Sequence, residues 1–266
     1  MSSRLAETFA VAKSENRAVL IGYLPAGFPS LPGACTAIAA MVEAGVDVVE
    51  VGLPYTDPLM DGPTIQAAVH AALAGGTSTA DVLRTVQAAA ATGAPSLVMT
   101  YWNPVERYGL NAFAQALSAA GAAGVITPDL LPEEAAGWLT ATKAAALDPV
   151  FLVAPSSTDA RIAATAAASQ GFLYAASTMG VTGARSEVGN RARDLVGRCR
   201  PRTSLPVAVG LGVSSGAQAA EVASFADGVI VGSALVRCLL DATDQAAGVR
   251  AVATLAAQLA AGVRRR

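Results

Sequence analysis

Short runs of β-branched residues alternate with longer alanine-rich stretches from one end of this 266-residue chain to the other. Eight such runs, at residues 18–23, 46–51, 96–100, 124–127, 150–153, 172–175, 207–210 and 228–231, read as strands. The stretches 34–44, 79–91, 111–120, 132–145, 160–168 and 215–224 between them carry the apolar spacing of amphipathic helices. A further helix over 4–14 precedes the first strand. Eight strands, each followed by a helix, predict an α/β chain folded as a (β/α)8 TIM barrel with an extra N-terminal helix; a doubly wound open sheet is the alternative. Composition never shifts along the chain and no Ser/Pro/Gly linker divides it, so 1–266 reads as one barrel domain.

Hydrophobic residues make up 53% of the chain and charged residues 14%, enough to bury a sizeable core and too apolar for global disorder. The net charge of −2 is spread thinly, and basic residues cluster only at Arg264-Arg265-Arg266, so no nucleic-acid partner is expected. Mean hydropathy is positive (+0.47), yet polar residues and Gly/Pro breaks interrupt the apolar stretches, and no membrane partner is expected. The N-terminus lacks the apolar segment of a signal peptide. Cys35, Cys199 and Cys238 lie far apart without metal-ligand spacing, which suits idle thiols in a reducing cytoplasm.

Glycine and proline follow the predicted strands: Pro25-Ala26-Gly27, Gly52-Leu53-Pro54, Asn103-Pro104, Pro128-Asp129, Pro155-Ser156-Ser157 and the loop 180–183. These are the ends where barrel enzymes keep their chemistry, although βα turns need such residues in any case. The seventh strand runs into Gly210-Leu211-Gly212 and the eighth into Gly232-Ser233. Glycine lets backbone N–H groups approach an anion, and a following helix adds positive potential, so this end is a candidate phosphate site, with Gly183 a further donor.

The inventory of reactive side chains narrows the chemistry. Of two lysines, Lys13 falls in the leading helix and Lys143 in a helix between strands four and five, so neither is placed for a Schiff base. The one histidine, His70, sits in a helical run and reads as structural or solvated, and no metal site of the usual His/Cys type is expected. Carboxylates remain. Glu50 ends the second strand among Val48, Val49 and Val51, a setting that raises its pKa and lets it give and take a proton near neutrality. A paired core carboxylate is the plainer reading. Asp57 and Asp61 follow on the next loop, where one of them could instead cap that loop or the helix starting near Thr64.

The stretch 50–66 resembles the signature of the tryptophan synthase α subunit, with Met60 where many members carry a small residue. The similarity continues through Gly22-Tyr23-Leu24-Pro25-Ala26-Gly27, Met99-Thr100-Tyr101-Trp102-Asn103-Pro104, the segment 174–183, Gly210-Leu211-Gly212 and the segment 228–233. The resemblance implies retro-aldol cleavage of indole-3-glycerol phosphate to indole and glyceraldehyde 3-phosphate. Glu50 would be the acid–base residue and Asp61 the carboxylate facing the indole nitrogen. Tyr101, Tyr174 and Thr182 would bind substrate, with Thr182 on a mobile loop that closes against Asp61. Gly183, Gly212, Gly232 and Ser233 would bind phosphate. Asp57, Asn103 and Pro104 would face a β subunit in an α2β2 heterotetramer. The resemblance implies no cofactor in this chain and pyridoxal phosphate in the β partner. A chiefly regulatory partner, a free-standing indole-releasing lyase and another phosphosugar isomerase are the competing readings.

Overall fold

The computed structural model describes residues 3–176, 185–210 and 212–264, with only the backbone of 185–189. Among them nine strands form one all-parallel sheet: β1 (Val19–Pro25), β2 (Val48–Gly52), β3 (Ser96–Met99), β4 (Gly124–Ile126), β5 (Asp148–Val150), β6 (Leu152–Val153), β7 (Leu173–Ala176), β8 (Val207–Gly210) and β9 (Gly228–Val231). The order across the sheet is β5-β4-β3-β2-β1-β9-β8-β7-β6. Its two edges, β5 and β6, are one stretch of chain interrupted at Phe151. The first half pairs with β4 and the second with β7, which rolls the sheet into a (β/α)8 barrel.

That interruption corrects the single fifth strand expected over 150–153. The Phe151 N–H leaves the ladder to donate to Ser169 Oγ at 3.3 Å, while the Phe151 carbonyl accepts from Tyr174 N at 3.3 Å. The strand changes partners at that residue. The helical stretch expected over 132–145 likewise divides into a 3-10 turn, Pro132–Glu134, and a helix, Ala136–Ala144. The helices Trp102–Tyr108, Arg185–Cys199, Ser233–Leu240 and Gln245–Val263 add to those expected.

Several helices start on a side-chain cap that satisfies an otherwise free N–H: Ser30 accepts from Gly33, Thr158 from Arg161, Ser215 from Gln218 and Asp244 from Ala247. Gln245–Val263 has the length and apolarity to cross a membrane. It carries Arg250 within its span and packs against the helices Leu31–Glu43, Gly216–Ala223 and Ser233–Leu240 as part of the outer layer.

Period-two alternation divides the apolar residues into two cores. Val49, Val51, Val98, Val125 and Val209 face the helices. Val19, Ile21, Val48, Leu97, Ile126, Val150, Ala208 and Ile230 fill the barrel, joined by Leu5, Phe9 and Ala12 of the helix Arg4–Ser14. The interior is narrow at the strand starts, where Gly124, Ala208 and Gly228 leave room. Phe9 lies against Gly228, and Leu5 against Gly171, so the leading helix closes that end. The open end is the other one.

Candidate functional site

Glu50 is the third of five residues in β2, not the strand's last, and its register partners are Tyr23 in β1 and Leu97 in β3. Partners across a parallel ladder share a face, so all three point into the barrel. Of the three valines expected around it, Val48 shares that interior while Val49 and Val51 face the helices. Glu50 is 1% exposed, and its Oε2 has no hydrogen-bond partner among the described residues. Burial, and then the charge of Asp61, push its pKa up to about 8. At neutral pH it holds its proton and can release it under a small driving force.

Asp61 lies on the loop between β2 and the helix Pro63–Ala74. That helix has Gly62 at its N-cap with no side-chain cap, so neither aspartate caps it; Gln66 Nε2 donates to the Asp61 carbonyl at 2.7 Å. Tyr101 holds the loop in place. Its hydroxyl accepts the Met60 N–H at 2.9 Å and lowers the pKa of the Asp61 carboxyl beside it. Burial raises the Asp61 pKa, and the Tyr101 hydroxyl acts against that rise. Burial also takes the Tyr101 hydroxyl up to about 12, so it stays a donor.

Two more tyrosines frame Glu50. Tyr174, in β7, leans over the end of β8: a Cβ at Gly210 would lie 2.6 Å from its Oη. Burial and the Glu50 charge raise its pKa well above the ordinary tyrosine value. Tyr23, in β1, mirrors it over β2, where a Cβ at Gly52 would lie 2.2 Å from its Oη. Its pKa rises well above the ordinary value through burial, Asp61, Glu50, Tyr101 and Tyr174, in that order, so it stands at the centre of the group. Tyr23 was quoted within a motif but not singled out as a site residue. Its signal is the pair of glycines, Gly52 and Gly232, that bracket it on the neighbouring strand ends.

At the glycine-rich end, Gly212 takes φ +71° with open space where a side chain would be, so the backbone conformation requires glycine there. Gly232 is the N-cap of the helix Ser233–Leu240, whose first N–H groups have no side-chain cap. Gly212, Ser214, Ser233 and Ala234 share a cavity of about 760 Å³ with Arg237 and Cys238. Glu50 and Asp61 do not line that cavity. Tyr23 connects the two regions: a Cβ at Gly232 would lie 3.3 Å from Tyr23 Cδ1, and the far end of the same ring reaches Gly52.

Asp57 is exposed on the loop after β2, and Asn103 and Pro104 open the helix Trp102–Tyr108 after β3. Asn103 Nδ2 donates to Tyr55 Oη at 2.8 Å, and the Tyr55 and Tyr101 rings pack with centroids 5.4 Å apart. Thr182 and Gly183 lie outside the described residues. Lys13 and Lys143 are exposed and belong to the closed end, on the leading helix and on the helix entering β5; His70 is exposed on Pro63–Ala74. Among the described residues no group of three or more His, Cys, Asp or Glu side chains converges as a metal site, and the three cysteines are free.

A family model described as "Tryptophan synthase alpha chain" matches residues 9–264. The tryptophan synthase alpha chain of Salinispora arenicola is 59% identical over 262 residues, covering 98% of each chain. That of Streptomyces coelicolor is 59% identical over 261 residues, covering 98% of this chain and 96% of its own. A solved structure of Mycobacterium tuberculosis tryptophan synthase superposes with a TM-score of 0.92 at 55% identity, covering 99% of both chains. With matches of this length and identity over a barrel of the same build, the chain belongs to the tryptophan synthase alpha chain family.

Proposed function

We propose that the open end of the barrel cleaves indole-3-glycerol phosphate to indole and glyceraldehyde 3-phosphate, the α reaction of tryptophan biosynthesis, with Glu50 and Asp61 as the catalytic carboxylates. The supporting observation is Glu50 itself: a carboxyl sealed in the barrel, protonated at neutral pH, with one oxygen uncommitted. Glu50 gives its proton to the ring carbon that carries the glycerol chain. The positive charge this creates spreads to the ring nitrogen, where the Asp61 carboxylate faces the N–H. Glu50, now a carboxylate, takes the proton of the hydroxyl on the adjoining carbon. The carbon–carbon bond breaks, its electrons return to the ring, and an aldehyde forms on the phosphate-bearing fragment. Glu50 finishes protonated, as it began, so one residue serves as both acid and base.

Tyr101 and Tyr174 bind the substrate in this scheme, Tyr101 also steadying Asp61, and Thr182 closes the site as the resemblance implies. Gly212, Gly232, Ser233 and Gly183 take the phosphate on backbone N–H groups and the helix N-terminus. The partner is a tryptophan synthase β subunit in an α2β2 assembly, which holds the pyridoxal phosphate and receives the indole. Leu59, 89% exposed, together with Met60 and Leu131, adds apolar surface to Asp57, Asn103 and Pro104 on segments after β2, β3 and β4; a partner would cover it. The chain works as a single barrel domain over 1–266, and its free thiols suit the cytoplasm. Assay of the purified chain with indole-3-glycerol phosphate, with and without a β subunit, tests the reading. Indole release that rises when β is added supports it; no release in either condition removes it.

A further inference from the structure

We propose that the Tyr23 hydroxyl reads the substrate's three-carbon chain, taking a hydrogen bond with a glycerol hydroxyl between the phosphate and the bond that breaks. This rests on the reaction proposed above and adds a group that selects for a hydroxylated chain. Tyr23 is 8% exposed, and its ring lies between the two halves of the site. Its root, Cβ, Cγ and Cδ1, packs on Gly232 at the phosphate end, and its tip, Cε2, Cζ and Oη, packs on Gly52 beside Glu50. A side chain at Gly52 would displace the ring and one at Gly232 would press against it, so the β2 end above all is shaped to seat it.

The oxygen at that tip makes no hydrogen bond among the described residues. Tyr101 spends its hydroxyl on Met60 N, and Tyr55 accepts from Asn103. Asp61, Glu50, Tyr101 and Tyr174 all act on Tyr23 through charge. The described residues give this oxygen no hydrogen-bond partner, and a ligand hydroxyl lying along the ring would supply one. Phenylalanine would fill the same space, so the oxygen, rather than the ring, carries the selectivity.

The test deletes the hydroxyl from each side in turn. Glycerol 3-phosphate and propyl phosphate share the phosphate and the chain length, and differ in hydroxyls. Each is measured as an inhibitor of indole release by the α–β complex, for the wild type and for Tyr23→Phe. The wild type is expected to prefer glycerol 3-phosphate by roughly five- to tenfold, the worth of one hydrogen bond. Tyr23→Phe is expected to lose that preference by weakening glycerol 3-phosphate alone, and to raise KM for indole-3-glycerol phosphate by a similar factor. A preference that survives the substitution, or equal weakening of both inhibitors, overturns the proposal while leaving the reaction intact. A wild type that neither cleaves the substrate nor responds to glycerol 3-phosphate overturns the parent reading as well.

Discussion

Glu50 and Asp148 are both carboxylates sealed inside the barrel, one near each end. Glu50 is 1% exposed and Asp148 5%; each keeps one oxygen, Oε2 or Oδ2, without a hydrogen-bond partner among the described residues, and burial raises the pKa of both. Their neighbours differ. Asp148 opens β5 under the leading helix, packed against Gly124 and Gly171, and Ser3, the N-cap of that helix, draws its pKa back down. Glu50 has no such relief: the nearest acid, Asp61, drives its pKa further up, and three tyrosines surround the pair. The closed end therefore eases the cost of a buried acid with a polar neighbour. The open end leaves the cost in place, and only a substrate can make use of it.

The largest expected effect separates the two ends directly. Glu50→Gln keeps the shape and removes the transferable proton, so kcat for cleavage should fall about 10³-fold. Its effect on stability has the opposite sign. The folded pKa of about 8 stands above the ordinary 4.5, so between those values the folded state holds a proton that the unfolded chain has lost. Stability from this group is greatest below the ordinary value, declines as pH rises, and stays lowered above about 8. Glu50→Gln should therefore resist urea better than wild type at alkaline pH, on the order of a few kcal/mol. A variant that loses stability as well as activity would mean that the buried charge itself holds the fold, and the pKa reading of Glu50 would fail.

Asp61→Asn should lower kcat about 10²-fold by removing the charge that faces the cationic ring. It also carries a second readout. Because the Asp61 charge helps raise the Glu50 pKa, the alkaline limb of kcat/KM near pH 8 should move to lower pH in this variant. An unmoved limb would show that the two carboxylates are not coupled. Tyr101→Phe comes next in size, a loss of roughly fivefold to tenfold in kcat/KM. It frees the Met60 N–H from the bond that orients the loop and removes the hydroxyl that lowers the Asp61 pKa. Native-like turnover would assign that role elsewhere.

The two ends were unequally legible in the sequence. Alternating β-branched runs reveal the strands because the pattern is local, and Glu50 stands out because a carboxylate among valines breaks it. Asp148 was passed over: Leu147-Asp148-Pro149 reads as a turn ahead of a strand, and only the pairing of Asp148 with Gly124 makes it the strand's first residue. Tyr23 sits in a quoted motif, but tyrosine is an ordinary strand former, and its importance comes from Gly52 and Gly232 on the strands either side. Tyr101 reads as a substrate contact in the sequence, and its bond to Met60 crosses 41 positions of chain. Side-chain type and period are written locally; which glycine a ring rests on is set by register across three strands.

Asp148→Asn is the smallest expected effect and the sharpest check on the contrast. Asparagine keeps an oxygen beside Ser3 and removes the charge that burial disfavours. The folded pKa of Asp148 lies above the ordinary value, so its burden grows as pH rises through that interval and is constant beyond it. The variant should gain in urea midpoint over wild type at neutral pH and gain less in acid. Cleavage should stay within about twofold of wild type, because the closed end of a barrel holds the fold and the open end does the chemistry. If Asp148→Asn instead lost activity with its urea midpoint intact, the closed end would be reaching the reaction through the interior column of Leu97, Ile126 and Val150, and the separation between the two carboxylates would fail.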